Sequence, residues 1–142
     1  MRNKNERIKK FYESHTKQNI QSFLWSIFEN ALASDIMDSS NSIDRANLAF
    51  DYRCMSTMFE SLACNLNNED KMEEALGLFY EYWGMDWVTR FEQMFDQAFE
   101  NIQKSDELTL KEDEYKQMIR IYQSISSLLN NILPQFIKIK AA

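Results

Sequence analysis

The chain has 142 residues, 44% of them hydrophobic and 13% aromatic, with a net charge of −6. That apolar content excludes a disordered chain, and a domain of this length buries about two-thirds of its unfolded surface without needing staples. It holds only 2 Gly and 1 Pro, where average usage gives roughly ten and seven; with so few residues that tolerate positive φ, a sheet built on tight turns is excluded. The composition therefore predicts an all-α fold: a compact five- or six-helix bundle, one domain over residues 1–142, with the third helix central.

The charge is uneven. Residues 1–17 carry six basic and two acidic side chains, a net +4; residues 18–116 are net −13, and residues 117–142 net +3. The simplest expectation is that the basic ends neutralise the acidic middle, within one bundle or across a dimer. The alternative is an acidic surface for a basic partner.

In chain order, the first helix is predicted over about 5–15, with Ile8, Phe11, Tyr12 and His15 on one side. The second covers about 17–34, its stripe formed by Ile20, Phe23, Leu24, Ile27, Phe28 and Ala31. The two stripes are out of phase on a straight helix, so a break near Thr16 is expected, with Thr16 as a cap; one bent helix is the alternative. Residues 35–42 read as a loop ending in the capping residues Asn41 and Ser42.

The third helix, about 43–66, is apolar over nearly half its circumference. Ile43, Phe50, Cys54 and Met58 form one flank and Leu48, Tyr52, Met55, Phe59 and Leu66 the other, a width that predicts packing against two neighbours. Its exposed side is expected to carry Arg53, Ser56, Thr57 and Glu60. Asp51 falls inside the apolar side, where a carboxylate needs a partner or a raised pKa. It is a candidate buried carboxylate, and a lysine or arginine from another helix is the simplest partner.

Asn67-Asn68 reads as a turn with Asn68 capping a fourth helix to about Trp83. Gly84 is placed at its end and Asp86 at the cap of the fifth, which ends near Lys104 and has the cleanest amphipathic pattern in the chain. Residues 105–109 form a loop, and Thr109 with Glu112 has capping-box spacing. The last helix is predicted over about 110–133, with Pro134 kinking or ending it and a tail that can continue beyond.

Reactive chemistry is sparse. His15 is the sole histidine and has no evident triad partner; no Glu-x-x-His pair exists for a di-metal bundle. Glu92, Asp96 and Glu100 form a row that could hold magnesium but reads more simply as a solvated face. Cys54 and Cys64, ten residues apart on one helix, lie about 15 Å apart along the axis, beyond disulfide reach, and read as small buried thiols. Nothing here calls for a cofactor, a metal or an enzyme. The acidic middle argues against nucleic acid, and no stretch is apolar enough for a membrane span.

Two surfaces stand out as candidates for contact. Eight aromatics crowd residues 79–99; most have core spacing, and Tyr82, Trp83 and Trp87 are the candidate interface members, with Tyr82 expected at the edge of its helix's apolar arc. On the last helix, Gln123, Ser127, Asn130 and Asn131 give an uncharged polar face, which can be buried without desolvating ions. The functional expectation is a cytoplasmic, non-catalytic protein-interaction or adaptor module that also self-associates as a homodimer. The alternative is a small-molecule sensor with an apolar pocket between helices.

Overall fold

The computed structural model describes residues 4–33, 42–83, 87–104 and 112–141, with side chains described for 4–33, 44–81, 89–102 and 113–132. These residues form six helices: α1 (Lys4–Ser14), α2 (Lys17–Leu32), α3 (Ser42–Cys64), α4 (Glu69–Trp83), α5 (Trp87–Lys104) and α6 (Glu112–Ala141). The all-α bundle read from composition is the observed architecture, with no strand among the described residues. No described helix is long and apolar enough to cross a membrane.

The phase conflict between the first two stripes is resolved by a break. His15 closes α1 through its N–H to the Phe11 carbonyl at 3.1 Å. Thr16 is extended (φ −72°, ψ 155°) and caps α2, its Oγ1 accepting from the Asn19 N–H at 3.1 Å. At the other turn foreseen in the sequence, Asn68 caps α4 by accepting the Lys71 N–H at Oδ1, 3.2 Å. α6 runs on through Pro134 to Ala141. Of the expected loop at 35–42, Ser42 opens α3 and the rest lies outside the described residues, as do the loop at 105–109, the caps at Asn41, Gly84 and Asp86, and the Thr109 capping box.

α3 packs against two neighbours, α2 and α4, as its wide stripe requires. α2 lies against α3, α5 and α6, and α1 lies on α6. One contiguous apolar cluster draws side chains from all six helices, among them Ile8, Ile27, Phe59, Leu76, Phe91 and Ile125. Polar pairs pin the helices in register. Gln21 and Ser56 exchange two hydrogen bonds between α2 and α3: Ser56 Oγ–H donates to Gln21 Oε1 at 2.6 Å, and Gln21 Nε2 donates to the Ser56 carbonyl at 3.0 Å. Asn101 of α5 donates to Asn30 of α2 at 3.0 Å. Tyr12 of α1 donates its hydroxyl to the Phe59 carbonyl of α3 at 2.8 Å, and burial pushes this phenol far above its usual range.

Three side chains depart from the sequence reading of α3. Phe50, placed on an apolar flank, is 45% exposed. Ser56, placed on the exposed side, is half-buried by its clamp with Gln21. Cys64 is exposed, whereas Cys54 is partly buried. For Ser56 the neighbouring helix α2, which a wheel of α3 alone omits, sets the outcome.

Candidate functional site

Two recesses carry the candidate chemistry. The first lies between α1 and α6 and has a volume of about 430 Å³. α1 contributes Arg7, Lys10, Phe11, Ser14 and His15; α6 contributes Arg120, Gln123, Ser124, Ser127, Leu128 and Asn131. The i, i+3, i+4 spacing on both helices is that of one face. Phe11 and Leu128 are buried and form the floor, while Lys10, Ser14, Arg120, Gln123 and Ser127 stand exposed along the walls. An adjoining hollow extends it, sharing Ser14, His15 and Arg120 and adding Lys116, Gln117 and Asp113. This sharing sets the end of α1 beside the first turns of α6, so the two helices run antiparallel.

Of the uncharged face read on the last helix, Gln123, Ser127 and Asn131 thus line one groove. Asn130 is exposed beside it, its amide donating to the Ser126 carbonyl at 2.9 Å. Asn131 donates to the Ser127 carbonyl at 2.7 Å, which leaves its Oδ1 as an acceptor. No acidic residue is among those lining the first recess, and Arg7, Lys10 and Arg120 have no carboxylate within ion-pair distance among the described residues. The Nε of Arg7 is buried without an acceptor. His15 packs against Phe11 with ring centroids 5.0 Å apart, and its partial burial lowers its pKa from 6.5.

The second recess lies between α3 and α4, about 280 Å³, lined by Phe50, Arg53, Cys54, Thr57, Met58, Ser61, Ala75, Leu78 and Phe79. Its rim carries two of the large exposed apolar side chains, Phe50 at 45% and Leu78 at 51%. Leu78 was unassigned by sequence reading. Its signal was available: it stands off the stripe of Met72, Ala75, Leu76 and Phe79, and so has no place in the core on a helical wheel.

Asp51 is half-buried and meets Arg90 of α5 at 3.3 Å. Burial raises its pKa while the guanidinium pulls it down. The simple expectation of a partner from another helix is what the structure contains. Of the aromatic run, Phe79, Phe91 and Phe95 are buried, and Phe95 stacks on Tyr122 of α6 at 3.9 Å. The side chains of Tyr82, Trp83 and Trp87 lie outside those described. Among the described residues no group of three or more His, Cys, Asp or Glu could hold a metal ion. In comparisons with known proteins, no family model, no curated protein and no solved structure matches this chain.

Proposed function

We propose that the protein is a non-catalytic interaction module whose α3–α4 cleft receives an apolar side chain from a partner protein, self-association being the homotypic form of the same contact. The observation that carries this reading is the pairing of exposed Phe50 and Leu78 across a cleft floored by Ala75, Met58 and Phe79. Large apolar side chains partly exposed around a concave apolar surface mark interaction sites, and an amphipathic helix laid between two helices is a recurring way to fill one. Arg53, Thr57 and Ser61 supply a polar edge, the usual surround of such a contact.

The test is affinity capture with the native chain and with Leu78→Glu, together with light scattering across a concentration series. Leu78 is half in water, so the substitution leaves folding intact. The expected result is loss of specific partners, and of any concentration-dependent increase in mass, in the variant. Identical captured sets from both proteins would reject the cleft as the contact site.

The cleft volume favours a second reading, because about 280 Å³ lies at the lower edge of small-ligand pockets. In this form the chain is a sensor and an apolar small molecule fills the cleft. Native mass spectrometry of the purified chain distinguishes the two: a stoichiometric apolar adduct lost in Ala75→Phe supports the sensor.

A further inference from the structure

The α1–α6 groove carries a separate inference. Its chemistry is the reverse of the molecule's. The chain is net −6, yet the walls of this groove hold Arg7, Lys10 and Arg120 and no carboxylate. Elsewhere the N-terminal basic segment does pair with the acidic middle: Lys4 with Glu73, and Lys17 with Glu60 at 2.6 Å. Arg7, Lys10 and Arg120 are left out of that pairing, and like charges gathered from two helices repel unless an anion joins them.

The shape selects among anions. The α6 residues on the groove run from Arg120 to Asn131, about 16 Å at the helical rise, which about five residues of extended chain would cover. A single small anion would occupy a fraction of that length. A single-stranded nucleic acid binds by stacking bases on exposed rings, and the rings here are buried Phe11 and the half-buried His15 packed against it. The amide and hydroxyl side chains of Gln123, Ser127 and Asn131 suit a peptide backbone, which presents both donors and acceptors.

We infer that the α1–α6 groove binds an acidic, extended peptide segment of a partner protein, with Arg7, Lys10 and Arg120 meeting its carboxylates and Gln123 and Asn131 its backbone. This site shares no lining residue with the α3–α4 cleft, so the two are tested by separate variants.

The test uses the full chain and a fluorescent peptide of roughly eight residues alternating glutamate and serine, long enough to fill the groove. Anisotropy is followed at about 50 mM salt, where screening is weak. Binding is expected for this peptide and not for its lysine–serine counterpart. Lys10→Gln with Arg120→Gln is expected to weaken it about tenfold or more. Arg45→Gln with Lys71→Gln, which changes net charge equally at exposed positions on α3 and α4, is expected to leave it unchanged. Both pairs are solvent-exposed, so far-ultraviolet dichroism should match the native chain. His15 is the sole histidine, so its ring resonances report occupancy in the unmodified protein and should shift on titration. Leu78→Glu should bind the peptide normally even if it loses its cleft partner. The proposal is overturned if the peptide does not bind, if both charge pairs weaken it equally, or if pyrophosphate or single-stranded DNA displaces it at lower concentration than unlabelled peptide.

Discussion

Asp51 and His15 are two titratable side chains that their surroundings shift within the acid-to-neutral range, and each yields a measurement. Asp51 is raised by burial against the opposing pull of Arg90, so the folded state holds its proton more tightly than the unfolded chain. Its ionised form therefore weakens the fold as pH rises through the carboxylate range. Asp51→Asn is expected to change stability at neutral pH by no more than about 0.5 kcal/mol, because the Arg90 left behind still reaches water. Arg90→Leu strands the half-buried carboxylate and should cost about 1 kcal/mol. Urea unfolding of the two variants checks the asymmetry.

His15 runs the other way. Its folded pKa is below 6.5, so the unfolded state binds more protons at mildly acid pH. Its contribution is complete above 6.5 and is lost as pH falls through that value toward the folded pKa. Unfolding free energy should therefore decline on going from about pH 7 to about pH 5, and His15→Gln should flatten that slope. An equal slope in the variant would assign the pH dependence elsewhere.

At the scale of elements, the break between α1 and α2 decides what the N-terminal region can do. A straight helix would point Phe11 and Phe23 in different directions; the extended Thr16 lets both reach the core, at 7% and 4% exposure. The same break lays α1 along α6 rather than along α3 alone, which is how Arg7 and Lys10 come to stand opposite Arg120. Thr16→Ala removes the acceptor of the Asn19 N–H and is expected to cost about 1 kcal/mol. Thr16→Ser keeps that acceptor and should recover most of the loss. Thermal melts of the three proteins give the comparison.

On the scale of the whole molecule, a single apolar cluster links six helices, and α1 closes it through Phe59. That ring is fully buried, lies 5.9 Å from the Phe11 ring, and its backbone carbonyl accepts from Tyr12. Phe59→Ala is expected to cost about 3–5 kcal/mol by opening a cavity, lowering the melting temperature by about 10 °C or more. If the helices share one core, near- and far-ultraviolet dichroism should melt together in the variant. Separate transitions would show that α1 and α6 form a unit apart from α3 and α4.

Helix content, the Thr16 break, the Asn68 cap and the two-sided packing of α3 were legible in the sequence because each rests on local rules: scarcity of glycine and proline, capping side chains, and apolar period. Asp51 was legible as an anomaly, though its partner was not, since Arg90 lies 39 residues away. Gln123, Ser127 and Asn131 were readable as an uncharged face, but their meeting with Arg7 and Lys10 was not. A helical wheel fixes which residues share a side of one helix and is silent on what faces that side. Only tertiary packing, which sets segments more than a hundred residues apart against each other, brought Arg7 and Lys10 together with Arg120 in one groove and set Phe50 and Leu78, each about half exposed, on the rim of another.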